Sequence, residues 1–508
     1  MTVPSPSPST DSPDERGSAR RDLAGLLGRS GTYAASDILK QAINFLLLPL
    51  YTAYLSKADY GILSIALAAA AVLEVIYGLA LRGAIGRLYF DQKGDDAIRA
   101  FLGTLTTFLS GFGAILSVVL LLIGPFAWPL LGMDEVSFSP YIVLVLLTVP
   151  LNNLGLSVVL PLYYVRGQAA RYAAYSLFSF VIVTGATILF VVALGQGAAG
   201  ALWGRWIAAL IVVVPTAWIL ARNIRPVLRW DLLHPALVFS LPLVPHLIST
   251  WALNFSDRLI LANFVSLDDV GVYAVGYQFG LLVSVVIAGI NNAWTPWYFR
   301  THTENRRDHV PAFVTYFVIV TAGLALGAAL FAREAVTIMT AGPYHDAWVI
   351  VPLVALGYFI NGVSLRFLDV LMLHKRTSVI PMTTLVAGAA NIGFNVVAIP
   401  ELGIIGAAYG TVFGYIVRLA LTAYYAARTG PLPFEWGRVV RACALAGLIA
   451  VPGVALSSGS LGLDILWKIG LFVLYPLALI VTRTLNESER RALWGAAGTL
   501  RAKVGRRA

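Results

Sequence analysis

The chain has 508 residues, of which 58% are hydrophobic and 12% charged, with a formal net charge of +10. A water-soluble domain carries about 25% charged residues, and here the apolar residues arrive in runs of about 20, enough to cross a hydrocarbon core of about 30 Å as helix. A soluble fold is excluded, and so is a transmembrane β-barrel, whose strands would show segments of about ten residues with alternating polarity.

Residues 1–22, MTVPSPSPSTDSPDERGSARRD, are rich in Pro, Ser and charge and cannot bury enough apolar surface to fold. They read as a disordered cytoplasmic tail, with no cleaved signal peptide. Fourteen apolar runs follow, and the expected fold is an all-α integral membrane protein. The first six lie near 31–55, 61–86, 100–124, 140–164, 172–195 and 199–221. The next six lie near 236–264, 271–295, 311–332, 347–371, 379–399 and 404–427, and the last two near 438–458 and 464–482.

Charge tests this count. Alternate connections hold Arg87, Lys93 and Arg99, then Arg166 and Arg171, then Arg222, Arg225 and Arg229. Arg300, Arg306 and Arg307, then Lys375 and Arg376, then Arg428, Arg438 and Arg441 continue the set. The opposite connections hold Lys57 and Arg333, with Arg205 and Lys468 a little way inside the neighbouring spans. Positive residues stay on the cytoplasmic side, so both termini are expected there. The bias also explains the net charge without a nucleic-acid partner. The lone cysteine, Cys443, excludes an internal disulfide and a cysteine metal cluster, and reads as a packing residue.

Two short patterns recur. SKADYG at Ser56–Gly61 returns as SLDDVG at Ser266–Gly271, and GALWG at Gly200–Gly204 as GAAYG at Gly406–Gly410. Each shift spans six helices, which gives the copies one orientation and implies a parallel repeat about an axis along the membrane normal. The expected organisation is a first lobe over 23–221, a cytoplasmic linker over 222–235, a second lobe over 236–427, a helix pair within 428–484 and a basic tail over 485–508. The G-A-x-x-G glycines themselves suit close helix packing.

Six cations remain inside the spans, Lys40, Arg82, Arg205, Arg258, Arg366 and Arg418, against four acids, Asp37, Glu74, Asp257 and Asp369. Each costs roughly 2.5–3.5 kcal/mol at a helix centre facing lipid, so several must face water or one another. Asp37 and Lys40, three apart, share a helix face that is expected to line an aqueous cavity. The surplus of cations points to an anionic ligand, and arginine's fork of donors suits phosphate. Lys40, Arg82, Arg258 and Arg366 are therefore the candidate ligand-binding residues. A second reading stays open for Arg82 and Arg418, which lie toward cytoplasmic helix ends and can snorkel, and for Arg366 and Asp369, which can simply pair.

NIGFNVVAIPELGIIGAAYG at Asn391–Gly410 resembles the helix 11–12 signature of bacterial polysaccharide flippases. SDRLILANFVSLDDVGVYAVGY at Ser256–Tyr277, LPLYTAYLSKADYGILSIA at Leu48–Ala66 and RLYFD at Arg87–Asp91 resemble further segments of that family. The likeness runs from about residue 25 to 430 and is to the multidrug/oligosaccharidyl-lipid/polysaccharide flippase superfamily. It implies two six-helix lobes around a cationic cavity, with a helix 13–14 pair beside them. The implied cargo is a polyprenyl-pyrophosphate-linked oligosaccharide, whose head group crosses inside the cavity while its lipid tail stays in the bilayer. Arg258 and Arg82 carry over by segment. Trp251 is the candidate sugar contact, Trp294 and Trp297 are expected in an interfacial belt, and Asn391 and Asn395 between helices. Asp37, Glu74, Asp257 and Asp369 are candidates for coupling to H+ or Na+.

Alternatives stay open. An exporter of organic cations would need a net acidic cavity, where this surplus is basic. A peptidoglycan precursor presents the same pyrophosphate. An enzyme would place acids or histidines on a large external loop, whereas residues 125–139 offer only Asp134 and Glu135. No phosphate-loop pattern or H-E-x-x-H pair occurs, so no cofactor or metal is expected. Expected partners are the lipid-linked substrate, membrane lipids and a polysaccharide polymerase or export machinery. The tail over 485–508 reads either as an amphipathic helix on the anionic leaflet or as a solvated segment.

Overall fold

The computed structural model describes residues 31–33, 35–304, 307–432, 434–456, 458–487 and 489–491. The expected tail at 1–22 and all but the first positions of that at 485–508 lie outside the described residues. α1 covers residues 35–46 and, past a turn at Leu47, Leu48–Tyr54. α2 (Lys57–Gly78) begins at a capping box in which the Ser56 and Asp59 side chains each bond the other's backbone N–H. Leu79 and Ala80 then adopt left-handed φ values of 45° and 57° and turn the chain into α3 (Leu81–Leu88). α4 (Asp95–Leu130), α5 (Phe138–Val165), α6 (Ala169–Ala193) and α7 (Gly197–Asn223) complete the first half. The second half holds α8 (Trp230–Leu261), α9 (Leu267–Thr303), α10 (Val310–Leu330), the short α11 (Ala332–Met339), α12 (Val351–Leu373) and α13 (Val379–Ala427). α14 (Trp436–Ala455) and α15 (Leu461–Val481) follow.

Twelve helices among the described residues are long and apolar enough to cross a membrane. The expected fourteen differ from this at two places. Residues 35–54 are interrupted at Leu47, and the 49-residue α13 combines two expected runs. At about 1.5 Å per residue, α13 would stretch over twice the hydrocarbon thickness if straight. It instead doubles back at Gly403, whose φ of 56° and ψ of −135° leave the helical region. Its arms then touch: the Asn391 side-chain amide donates to the Gly410 carbonyl at 2.8 Å, while that of Asn395 donates to Asn391 Oδ1 one turn back in the same arm at 3.3 Å. Asn391 makes the expected bond between helices, whereas Asn395 packs against Gly410 but bonds only within its own arm.

Apolar side chains gain little by leaving lipid for a helix neighbour, so close approach of small residues decides which helices pack. A Cβ on Gly406 would lie 2.5 Å from the Ala398 carbonyl, and one on Gly204 2.8 Å from that of Ala186. Both copies of G-A-x-x-G thus press their helix against the one before it. The two halves meet in the same way. A Cβ on Gly61 would lie 2.1 Å from the Leu267 carbonyl, and one on Gly271 2.0 Å from that of Lys57. These are matching positions of the repeated pattern, each seated on the other's backbone. α14 and α15 pack on α10 through Leu326, Leu330, Ala442, Ile449, Tyr475 and Leu479.

Candidate functional site

A cavity of about 780 Å³ opens at the first half, lined by Asp37, Lys40, Arg82, Tyr33, Tyr164, Tyr172 and, from the second half, Asn292. α1 brings Asp37 and Lys40 onto one face, three residues apart, where they pair at 2.7 Å with half of Asp37 exposed. Lys40 Nζ also donates to Ser176 Oγ on α6 at 2.7 Å. The left-handed pair at Leu79–Ala80 redirects the chain just before Arg82, which is exposed and forms no ion pair or hydrogen bond with a described residue. Tyr33 sets its ring edge-on to Tyr172 at 4.9 Å and tilted to Tyr164 at 5.2 Å, forming an aromatic wall beside the charges. The cavity therefore carries two cations and one acid, in a site open to water.

Lys40 also borders a second, open hollow of about 250 Å³, shared with Glu74, Asn152, Tyr175, Ser176, Ser179 and Phe180. Of the nine site residues expected from the sequence, Asp37, Lys40, Arg82 and Glu74 thus come together around two adjoining hollows.

The remaining five lie elsewhere. Arg258 is buried, pairs with Asp257 at 2.6 Å, donates to the Asn254 carbonyl at 2.6 Å and stands 4.1 Å over the Tyr277 ring. Tyr273 donates to the other oxygen of Asp257. Arg366 pairs with Asp369 at 3.2 Å, sits 4.7 Å over Trp294 and 4.6 Å over Phe317, and donates to Asn291. Both arginines face aromatic rings inside the second half. The Trp251 indole donates to the Ala68 carbonyl at 2.8 Å, joining α8 to α2. Trp294 departs from the interfacial belt expected of it: it is buried and donates to Asp369 at 2.7 Å, because a carboxylate at that depth needs a donor. Arg418 reaches inward to Asn361 at 2.7 Å.

Sequence reasoning missed Tyr33, Tyr164, Tyr172, Asn152 and Ser176. Tyrosines near helix ends look like interfacial anchors, and a single amide or hydroxyl in an apolar run marks no face by itself.

Residues 27–302, more than half of the chain, match the family described as polysaccharide biosynthesis protein. A stretch of 285 residues, 54% of the chain, is 26% identical to Lsg locus putative protein 1 of Haemophilus influenzae and spans 66% of that protein. The fold is similar to that of "Lipid II flippase MurJ, inward closed conformation", with a TM-score of 0.70 and 14% identity over 90% of this chain and 99% of the other. It is also similar to an inward-facing multidrug resistance MATE family transporter of the MOP superfamily, with a TM-score of 0.50 and 14% identity over 80% and 93%. With twelve apolar helices among the described residues and this fold, the chain is a multi-pass membrane protein and belongs to the polysaccharide biosynthesis protein family.

Proposed function

We propose that this protein moves a polyprenyl-pyrophosphate-linked oligosaccharide from the cytoplasmic to the outer leaflet of the cell membrane, by alternating access, for surface polysaccharide synthesis. The observation that carries the reading is Arg82, without an ion pair or hydrogen bond among the described residues, lining with Lys40 an open cavity that Asn292 of the second half borders. Pyrophosphate is the part of the cargo that hydrocarbon repels most. A guanidinium and an ammonium group replace its water with charge-assisted hydrogen bonds. The cavity lies on the side of the basic connections at Arg87 and Arg166, which the positive-inside bias assigns to the cytoplasm together with both termini.

The opposite side is shut by Gly61 on Gly271 and by Tyr344, whose hydroxyl bonds the Leu55 and Ser56 carbonyls at 2.9 and 2.8 Å. Entry from the cytoplasmic leaflet, followed by parting of that contact, delivers the head group outside while the lipid tail stays in the bilayer. Asp37 is the coupling carboxylate this geometry favours, since a proton or sodium ion arriving there releases Lys40 to the pyrophosphate. Asp257 and Asp369 are occupied by Arg258 and Arg366, and hold the second half together.

Purified protein tests the reading. Binding of the lipid-linked oligosaccharide, competed by inorganic pyrophosphate, should weaken about tenfold or more in Arg82→Ala, the scale of one charge-assisted contact. Unchanged binding in Arg82→Ala and in Lys40→Ala would overturn it. Preferential binding of a peptidoglycan precursor would instead place the protein with that cargo.

A further inference from the structure

The second hollow beside Lys40 has a chemistry of its own. Glu74, on α2, is exposed into it and forms no hydrogen bond or ion pair with a described residue. Arg205 is the cation whose field reaches it, without pairing. Asn152, on α5, likewise presents an amide that bonds no described residue. A free carboxylate and a free amide within apolar helices are costly unless water or a ligand satisfies them. The walls add two aromatic rings, Tyr175 and Phe180, and the hydroxyls of Ser176 and Ser179. Tyr175 is fixed through Thr216 at 2.8 Å, in space left by Gly155, where a Cβ would meet the phenol oxygen at 2.2 Å.

An acceptor pair of oxygens, an amide that both donates and accepts, and flat rings beside them suit a polyhydroxylated ring. At about 250 Å³ the hollow has room for several waters of about 30 Å³ each, and a sugar that reproduces their hydrogen bonds displaces them without enthalpic loss. Lys40 borders both hollows. We infer that this second hollow is the subsite for the first sugar of the cargo, the one bonded to the pyrophosphate. Glu74 and Asn152 hold its hydroxyls, the ring lies along Tyr175 and Phe180, and Lys40 spans the sugar-phosphate junction. Glu74 then recognises cargo rather than coupling its movement to an ion. The inference rests on the phosphate site proposed above and is separable from it.

The test compares two probes on the full-length protein: bare polyprenyl pyrophosphate, and the same lipid carrying one neutral hexose, glucose and galactose each being tried. Wild type should bind one of the glycosylated probes more tightly than the bare lipid. Glu74→Gln and Asn152→Ala should each lose that preference, by about tenfold, while binding bare lipid as wild type does. Neither residue bonds another part of the fold, so both variants should remain folded. Absence of a preference in wild type for either sugar would overturn the subsite. So would equal weakening of both probes by Glu74→Gln, or loss of ion-gradient stimulation alone, which would return Glu74 to a coupling role. Failure of the phosphate site reads differently: bare lipid would then bind Arg82→Ala as well as wild type.

Discussion

Two Lys–carboxylate pairs separate structural charge from working charge. Lys468 and Glu334 meet at 2.5 Å with each side chain 4% exposed, while Lys40 and Asp37 meet at 2.7 Å with 25% and 49% exposed. Breaking a buried pair strands a charge at about 3–5 kcal/mol, whereas an exposed one contributes at most about 1 kcal/mol. Lys468→Met should therefore lower the melting temperature of the detergent-solubilised protein markedly, and the double variant Lys468→Met/Glu334→Leu should recover most of it. An equal loss in both would contradict a stranded Glu334 carboxylate as the source of the cost. The sequence does not reveal this contrast, because Lys468 and Glu334 are 134 positions apart while Asp37 and Lys40 are neighbours on one turn. For the same reason Arg258 and Arg366 were legible as intramembrane cations but not as occupied ones. Spacing along a helix says which residues share a face, and nothing about the rings of Tyr277 or Trp294 set against it.

At the scale of elements, apolar runs located the helices well, because length and hydropathy are local properties. The break between the runs 379–399 and 404–427 was legible at Pro400–Gly403 and is met by the turn at Gly403, whereas the interruption of the first run at Leu47 was not. Gly61 and Gly271 were legible as a repeat, yet their mutual contact was not, since it needs both halves assembled. Gly271→Val should hold the outer contact apart, and a cysteine at Ser56, in a Cys443→Ala background, should then label faster from outside. Unchanged labelling would remove this contact from the outer closure.

A second elemental device lies at the other end. Arg438 donates to Glu489 at 2.6 Å, to Glu435 at 2.7 Å and to the Thr484 carbonyl at 2.7 Å, and Tyr316 donates to Glu489 at 2.5 Å. Burial raises the Glu489 carboxyl, but the bonds from Tyr316, Arg438 and the Asn486 N–H outweigh it and hold it below the usual glutamate range. A depressed folded-state value means stability is present above the unfolded pKa and is lost as pH falls through the folded one. Proteolysis at residues 484–491 should therefore be slow at neutral pH and accelerate only in acid below the ordinary glutamate range. Glu489→Gln should be cut quickly at neutral pH. A pH-independent rate in wild type would contradict the clamp.

For the whole molecule, the two halves close on each other at Gly61 and Gly271 and leave an open cavity at Arg82 and Lys40. Their fold was legible through the charge bias and the repeat, because topology and duplication both write themselves into sequence order. The cavity was half legible: the face shared by Asp37 and Lys40 could be read from their spacing, while its tyrosines, asparagine and serine were not seen. The central claim is that an anionic lipid head group crosses through the hollow at Arg82 and Lys40. It is tested most directly by reconstituting the protein in liposomes with a fluorescent polyprenyl-pyrophosphate oligosaccharide and following its protection from an external quencher. Wild type should exchange the probe between leaflets, and Arg82→Ala/Lys40→Ala should fall toward the protein-free rate while remaining folded. Exchange by the double variant at the wild-type rate would contradict the account.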